Sequence, residues 1–344
     1  MTTRRPAPDD WIDVLRVAAD DIHLPLMVVP EKRAGDPSVF RTMKHRIEEF
    51  DPDVIETHDS KSHFLLWLIR IFSARVRATP WVAFHHGYTR TSRRVLLYQS
   101  LDRITLRFAT HVITLCQPFA ADLRRRGVRA KRISVVSNTV SPIAPLTRVE
   151  ARKIRSERGI AEDEFVVLTV GRLSDEKGHD VLIEAFSACL AQAKQQLRLL
   201  IVGDGPERGR LEEAAAPLND RVNFLGHVAD AWPFYCAADL FVLPSRSEGS
   251  PLVIFEAMAA SLPIVSTTVG SVPEVLQHGF SALLIEPDRP EKIRDGICLL
   301  LEDVDLRAKI SKNARDALDD HTVEGYAIRL LDIYSQCIRQ SSQD

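Results

Sequence analysis

Two glutamates and a predicted helix start lie close together in residues 244–260, PSRSEGSPLVIFEAMAA. Glu248 lies in a loop, Gly249 permits close backbone approach, and Pro251 suits the first turn of a helix. The unpaired N–H groups of that turn would face an anion. Glu256 follows in an otherwise apolar helix, where a carboxylate is costly unless hydroxyls, such as those of a sugar or ribose, hydrogen-bond it. The alternatives are an ordinary exposed helix position for Glu256 and a common loop glutamate for Glu248.

A second candidate is the loop 171–178, GRLSDEKG, which follows a predicted buried strand. Arg172 and Lys177 lie five residues apart, and together they could clamp both phosphates of a diphosphate. Such cations would stabilise a departing nucleoside diphosphate without a metal ion. The alternative is that they form surface ion pairs with Asp175 and Glu176.

A third candidate is His86 in the sequence HHG, which follows the predicted strand 81–84. A histidine there could contact a sugar hydroxyl or position an acceptor, although a structural role is the alternative. The turn GDGP at 203–206 lacks the GxGxxG spacing of a dinucleotide site. No HExxH, GxSxG or Walker pattern is present. Residues 51–53 read DPD, but we interpret Pro52 as the start of a strand rather than as a spacer between metal ligands, and we predict no metal site.

These candidates need strands that end near one another. Strands alternate with helices in the second half of the chain, which predicts a parallel sheet covered by helices on both faces. The predicted strands there are 165–170, 197–202, 222–225, 240–243, 264–267 and 283–285. The first half follows the same pattern with strands at 26–29, 54–57, 81–84, 112–114 and 133–136. We therefore predict an α/β fold of two doubly wound, Rossmann-like domains that face a central cleft, with ligands beyond the carboxyl ends of the strands.

The predicted domain boundaries follow from this alternation. Residues 1–140 form an acceptor-side domain, and residues 141–150 form a linker with two prolines and no apolar periodicity. Residues 151–320 form a donor-binding domain. Residues 321–344 form a C-terminal helix that can pack back toward the N-terminal domain.

Composition limits the classes of protein that fit. The 344 residues are 45% hydrophobic and 27% charged, as in a globular protein of about two domains. The net charge of −2 gives no attraction for nucleic acid. Five scattered cysteines without a CxxC pair predict neither a disulfide framework nor a zinc site, and they fit a reducing cytoplasm. We identify no signal peptide and no apolar run of the ~20 residues that span a bilayer.

Basic residues cluster in the first half of the chain. One interpretation is a solvated helix end and loop, and the other is a basic face for an anionic acceptor or a lipid surface. The residues are Arg90, Arg93, Arg94, Arg124, Arg125, Arg126, Arg129, Lys131 and Arg132.

The chain resembles family 4 glycosyltransferases, which are retaining enzymes of the GT-B fold. The resemblance covers roughly residues 51–340. It rests on Glu248 and Glu256 with seven residues between them (E-x7-E), on GRLSDEKG, and on LLIVGDGPER, VNFLGHV, ADLFVLPSRSEGSP and VGSVPEV. Family members usually begin with a strand and a Gly-rich loop. Residues 1–11, MTTRRPAPDDW, show neither, so we expect the chain to enter the fold one βα unit late.

The resemblance implies roles for individual residues. Arg172 and Lys177 would bind the donor diphosphate beside Gly171, Glu256 would hold the ribose, and Glu248 would contact the transferred sugar. Catalytic roles are implied for Glu248, His86, Arg172 and Lys177. Donor binding is implied for Gly171, Arg172, Lys177, Val228, Gly249, Ser250, Pro251, Leu252 and Glu256, with the backbone near Val228 facing the nucleobase.

We therefore predict a cytoplasmic, metal-independent retaining transferase with no cofactor. It moves a hexosyl-type sugar from a UDP- or GDP-sugar to a hydroxyl of a sugar or lipid-linked acceptor, in the synthesis of cell-surface polysaccharide, lipopolysaccharide or another glycoconjugate. A peripheral contact with an anionic membrane through the basic patches belongs to this prediction. The alternatives are a nucleotide-sugar epimerase of similar two-domain fold and a non-catalytic nucleotide-sugar-binding protein.

Overall fold

The chain forms two compact units, each with parallel β-sheet. The computed structural model describes residues 2–4, 16–17, 19–33, 35–87, 93–140 and 148–341. The first unit comprises the described parts of Met1–Ile113, Leu123–Ser134 and Asp332–Asp344, and the second comprises those of Thr114–Asp122 and Val135–Leu331. The predicted α/β fold with two Rossmann-like domains is confirmed. The predicted linker lies mostly outside the described residues, which resume at 148.

The described residues of the first part of the chain form six strands and, between residues 37 and 125, five α-helices. Strand β1 pairs with β2 in parallel, and a separate sheet has the order β3-β4-β5-β6. The strands are β1 (Thr2–Arg4), β2 (Val28–Pro30), β3 (Ile55–Thr57), β4 (Trp81–His85), β5 (His111–Thr114) and β6 (Ile133–Val135). The helices are α1 (Pro37–Phe50), α2 (Ser60–Phe72), α3 (Ala74–Ala78), α4 (Arg93–Thr105) and α5 (Gln117–Arg125).

The second unit contains a sheet with the order β12-β11-β10-β7-β8-β9, in which all paired strands are parallel. The strands are β7 (Phe165–Val170), β8 (Leu197–Val202), β9 (Val222–Gly226), β10 (Leu240–Leu243), β11 (Ile264–Thr267) and β12 (Leu283–Ile285). The strand order reverses between β7 and β10, and this switch point is where doubly wound sheets bind ligands.

The helices of this part cover the sheet, and two clusters of buried apolar side chains form its core. They are α6 (Arg148–Glu157), α7 (His179–Leu190), α8 (Arg208–Ala215), α9 (Trp232–Ala237), α10 (Leu252–Ala259), α11 (Val272–Val275), α12 (Pro290–Glu302), α13 (Val304–Ala317) and α14 (Val323–Ser341). The sequence prediction lacked α6, α12 and α13, whose exposed faces are rich in charged residues. The alternation of elements also predicts a short helix near 274–277, but the observed helix begins at Val272, with Pro273 in its first turn.

Two further predictions are wrong. Residues 1–11 were expected to contain no strand, but Thr2–Arg4 pairs with Val28–Pro30, and adjacent β-branched threonines favour extended backbone. The sequence also predicts that one apolar stripe of the C-terminal helix α14, made of Ala327, Leu330, Leu331, Tyr334 and Cys337, faces inward, but Leu331 is 62% exposed. The buried residues of this helix are Ile333, which the prediction omitted, and Cys337, which it included, so the inward face overlaps the predicted stripe only in part.

Candidate active site

The loops after β7 and β10 meet at the switch point of the second unit. Lys177 Nζ lies 2.7 Å from Glu248 Oε1, and Ser245 Oγ donates a hydrogen bond of 2.7 Å to the same oxygen. The Glu248 side chain is 9% exposed and that of Lys177 is 24% exposed. Two residues that are 71 positions apart in the chain, both predicted from sequence, are therefore in direct contact.

Glycines allow the loop after β7 to lie close to the loops after β10 and β8. Gly178 has a φ of 65°, and a Cβ atom there would lie 2.2 Å from the Pro244 carbonyl oxygen. A Cβ at Gly203, where φ is 141°, would lie 1.9 Å from the carbonyl oxygen of Gly171. Both distances are well inside van der Waals contact, so a side chain at either position would force the loops apart.

Arg246 also fastens the two loops, and the sequence prediction did not include it. Its backbone N–H donates to the Glu176 carbonyl at 2.8 Å. Its guanidinium donates to both carboxylate oxygens of Asp180 at 2.9 Å and to the carbonyl of Asp175 at 2.6 Å. Asp180 raises the pKa of Arg246 well above its ordinary value. This cation therefore holds the GRLSDEKG loop and does not remain available for a ligand.

The helix that follows Glu248 begins one residue later than predicted. Pro251 is the N-cap of α10 rather than its first residue, and no side chain caps this end. Ser250 is buried, and its Oγ accepts a hydrogen bond of 2.9 Å from the Asn138 backbone N–H. Helix geometry leaves the amides of Leu252 and Val253 without intrahelical partners. This helix start therefore keeps backbone donors for an anion, whereas the Ser250 hydroxyl is already engaged.

Glu256 receives a hydroxyl from the protein itself. The Tyr235 hydroxyl, on α9, donates a hydrogen bond of 2.7 Å to Glu256 Oε2. Burial, together with the charge of Glu256, raises the pKa of Tyr235 well above its ordinary value, so the hydroxyl remains a donor. Within the described residues, Glu256 Oε1 has no hydrogen-bond partner. The sequence prediction gave Glu256 hydroxyls of a sugar or ribose, and the structure supplies the Tyr235 hydroxyl to one of its two oxygens.

Of the remaining predicted residues of the second unit, Gly171 lies beside Lys177, since a Cβ atom at Gly171 would be 3.9 Å from Lys177 Cδ. Arg172 is exposed, and its guanidinium forms no hydrogen bond or ion pair with any residue that the structure describes. Gly171 continues the ladder of β7, since its N–H donates to the Val202 carbonyl at 2.9 Å. Val228 follows the end of β9 and packs against the second core cluster.

His86 belongs to the first unit, where it follows the carboxyl end of β4. Its Nε2 lies 3.2 Å from Nδ1 of His58, which follows the neighbouring strand β3. Desolvation, and then the neighbouring His58 and His63, lower the pKa of His86, although Glu56 and Asp59 act in the opposite direction. At neutral pH the His86 ring is therefore uncharged.

The basic segment 124–132 lies at the end of α5 and in the turn and short helix that follow. Arg124, Arg125, Arg129 and Lys131 are exposed there, and Arg90 lies outside the described residues. No helix of the described chain has the length and apolar character needed to cross a bilayer. The described residues also contain no group of three His, Cys, Asp or Glu side chains that could hold a metal ion.

Two family models match successive parts of the chain. The model described as "Glycosyl transferase 4-like domain" matches residues 1–139, and the model described as "Glycosyl transferases group 1" matches residues 150–317. An uncharacterized glycosyltransferase of Methanocaldococcus jannaschii is 28% identical over 298 residues, which cover 82% of this chain and 75% of the relative.

Two further proteins are similar over different lengths. The alpha-D-kanosaminyltransferase of Streptomyces kanamyceticus is 31% identical over 220 residues, which are 62% of this chain and 56% of that enzyme. This chain therefore matches just over half the length of that relative. The crystal structure of HepE from Anabaena in complex with UDP and glucose aligns with a TM-score of 0.81 at 25% identity, over 94% of this chain and 89% of HepE. The chain belongs to the group 1, family 4-like glycosyltransferases, and its fold is GT-B.

Proposed function

We propose that the chain is a retaining hexosyltransferase that uses a UDP- or GDP-sugar and a hydroxyl acceptor. The observation that carries the proposal is the contact of Lys177 with Glu248 at the switch point, beside the uncapped start of α10. A cation, a carboxylate and free backbone amides suit a ligand that combines phosphates with hydroxyls. The similarity to HepE, which was solved with UDP and glucose, supports this ligand class.

Each group has a defined part in the proposed site. Lys177 and the exposed Arg172 bind the diphosphate, with the amides from Gly249 to Leu252. Glu256 accepts hydrogen bonds from the ribose through Oε1 while Tyr235 holds Oε2. Glu248 accepts hydrogen bonds from hydroxyls of the transferred sugar. The backbone near Val228 faces the nucleobase, and His86 of the first unit contacts a sugar hydroxyl.

In the proposed reaction the bond between the anomeric carbon and the phosphate oxygen breaks through an oxocarbenium-like state. The acceptor hydroxyl attacks from the same face, and the departing diphosphate takes its proton, so the anomeric configuration is retained. Lys177 and Arg172 stabilise the negative charge that develops on the leaving group. We propose that these cations suffice without a metal ion or cofactor.

We also propose a cytoplasmic setting, with a sugar or lipid-linked acceptor that enters a cell-surface polysaccharide, lipopolysaccharide or other glycoconjugate. The exposed cations Arg124, Arg125, Arg129 and Lys131 support a peripheral contact with anionic lipid headgroups. Each such cation near a charged bilayer contributes about 1 kcal/mol of attraction. Co-sedimentation with vesicles that contain anionic lipid, compared with neutral vesicles, tests this contact.

The donor is identified by thermal unfolding with UDP, GDP and a panel of their sugars. The cognate donor should raise the melting temperature, because it binds only the folded state. Transfer to acceptors is then followed by NMR, in which a retained anomeric configuration supports the mechanism and an inverted one contradicts it. Isomerisation of the donor without acceptor would indicate an epimerase, and binding without transfer or hydrolysis would indicate a binding protein.

Substitutions test the site itself. Lys177→Ala and Glu256→Ala should abolish turnover, and Tyr235→Phe should weaken nucleotide binding about tenfold or less, as expected for one hydrogen bond. Exposed Lys194→Ala and Glu184→Ala serve as matched controls. Near-normal rates in Lys177→Ala or Glu256→Ala would contradict the assignment.

A further inference from the structure

A chain of polar side chains in the first unit ends at His86. Strands β3 and β4 are parallel neighbours with Glu56 opposite Val82, so the residues that follow the two strands lie side by side. His58 follows β3 and His86 follows β4, and their ring nitrogens Nδ1 and Nε2 are 3.2 Å apart. His58 Nε2 contacts the carboxylate of Glu56, to which the Tyr334 hydroxyl also donates.

We infer that Glu56, His58 and Tyr334 are positioning residues that fix the orientation of His86 and leave its Nδ1 as a hydrogen-bond acceptor for a substrate hydroxyl. This inference rests on the proposed function, in which His86 contacts a sugar. It goes further because it gives a positioning role to three residues outside the predicted site. It also states that Nδ1 is the nitrogen of His86 that accepts the hydrogen bond.

The direction of the hydrogen bonds follows from the carboxylate at the end of the chain. Burial acts to raise the pKa of Glu56, but hydrogen bonds from His58 and Tyr334 hold it below its ordinary value. Glu56 is therefore ionised and can only accept hydrogen bonds. Tyr334 donates to it from α14, whose last part belongs to the first unit, and His58 donates to it through Nε2–H.

The proton on Nε2 of His58 determines the next step. The inference includes that the His58 ring carries only this one proton, so its other nitrogen, Nδ1, presents a lone pair. His86 Nε2 must then carry a proton and donate it to His58 Nδ1. Because His86 is uncharged, its Nδ1 is left with a lone pair, and Nδ1 has no partner in the part of the chain that the structure describes.

Ring packing fixes the planes of the two histidines. The His58 ring stacks on Phe84 with centroids 4.6 Å apart and an interplanar angle of 22°. The rings of His58 and His86 are 5.5 Å apart at 19°, and Phe84 and His86 are also nearly parallel. Phe84 therefore supports both rings while the hydrogen bonds set their rotation.

A second histidine in the same unit shows what a purely structural arrangement looks like. His63 and Asp102 are each 1% exposed. His63 Nδ1 lies 2.5 Å from Asp102 Oδ1, and its Nε2 lies 3.2 Å from the Thr57 carbonyl oxygen. Both nitrogens of His63 are engaged inside the protein, whereas the His86 ring is accessible to solvent and its outer nitrogen remains for a ligand.

Nitrogen NMR of protein with labelled histidine tests the inference without requiring turnover. We expect His86 to be a single tautomer with the proton on Nε2 in the unmodified chain. His58→Phe keeps the stacked ring but removes both nitrogens, so His86 should then populate both tautomers. Glu56→Gln can both donate and accept, and it should also mix the tautomers. His45→Gln, on the exposed face of α1, is the control.

Kinetics provide the second readout. His58→Phe and Tyr334→Phe should lower kcat about tenfold or less, the effect of one hydrogen bond, while UDP or GDP binding is unchanged. A merely structural role would change the melting temperature without moving the tautomer. If His58→Phe does not fold, the tautomer of His86 in Glu56→Gln tests the same inference.

The outcomes separate the two proposals. A proton on Nδ1 of His86 in the unmodified protein, or an unchanged tautomer in the folded variants, would overturn the inference even if transfer is observed. Absence of transfer by a protein whose His86 carries its proton on Nε2 would instead refute the proposed function and leave the hydrogen-bond chain standing.

Discussion

The ion pair between Lys177 and Glu248 should be measurable as a coupling energy that is independent of catalysis. Lys177→Met removes the ammonium and leaves the Glu248 carboxylate, 9% exposed, with the Ser245 hydroxyl as its only hydrogen-bond partner among the described residues. Removal of one partner from a fully buried pair costs roughly 3–5 kcal/mol, whereas an exposed pair contributes about 0–1 kcal/mol. The intermediate exposure of Lys177, 24%, places the expected loss of stability at about 2 kcal/mol.

The second single variant should cost less than the first. In Glu248→Gln the ammonium of Lys177 turns toward solvent, so we expect a loss of about 1 kcal/mol. In the double variant no charge is left unpaired, and its loss should be smaller than the sum of the two single losses. The expected coupling is about 1–2 kcal/mol, which lies within the range measured for side chains in contact.

Urea unfolding of the four proteins provides the assay. In a domain of this size 1 kcal/mol corresponds to roughly 2–4 °C in melting temperature, so thermal unfolding offers an independent check. Lys153 and Glu157 form the control cycle, because their side chains are 75% and 62% exposed at 3.9 Å on α6. That pair should couple by about 0.3–0.5 kcal/mol or less. Additive losses in the Lys177–Glu248 cycle, within about 0.5 kcal/mol, would refute the contact.

Two further predictions concern the backbone and a buried histidine. Gly203→Ala should destabilise the second unit and impair nucleotide binding, because its Cβ would lie 1.9 Å from the Gly171 carbonyl oxygen. Gly209→Ala is the control, since no atom lies within 4 Å of its Cβ, and it should be neutral or stabilising in urea unfolding. Equal effects of the two substitutions would contradict this reasoning. Burial lowers the pKa of His179 from 6.5 to about 4. Between pH 6.5 and about 4 the unfolded chain binds a proton at His179 that the folded chain does not bind. The free energy of unfolding should therefore fall by at most about 3 kcal/mol as the pH drops through this range. His179→Leu should remove this contribution, and identical pH dependence in both proteins would contradict the assignment.

The strands of the second unit could be predicted closely from the sequence. Phe165–Val170 and Leu240–Leu243 have the bounds that the prediction gave, because a parallel strand covered on both faces is continuously apolar. The same pattern does not reveal α12 and α13. Charged residues lie between their inward residues, and the prediction assigned no element between the strand 283–285 and the C-terminal helix that begins at 321.

His58 was missed although a signal for it exists in the sequence. It directly follows the predicted strand 54–57, just as His86 follows the predicted strand 81–84. Parallel neighbours bring their carboxyl ends to one edge of a sheet, so two histidines after two such strands are candidates for contact. The prediction considered each strand end alone, and the pairing of β3 with β4 became visible only in the structure.

Tyr235 and Arg246 show why the rest of the site was hidden. Lys177 and Glu248 lie within a few residues of strand ends, and glycines fix the loops that carry them, so chain connectivity alone brings these two residues to the switch point. Tyr235 lies instead on α9, and it reaches Glu256 only because α9 packs beside α10. The partner of Glu256 therefore depends on how two helices pack, and the sequence alone does not show which of the chain's many hydroxyls this packing brings to Glu256. Such partners can be predicted if a carboxylate in an apolar helix is assumed to need a hydrogen-bond donor, and if the adjacent helices are searched for a side chain that can donate.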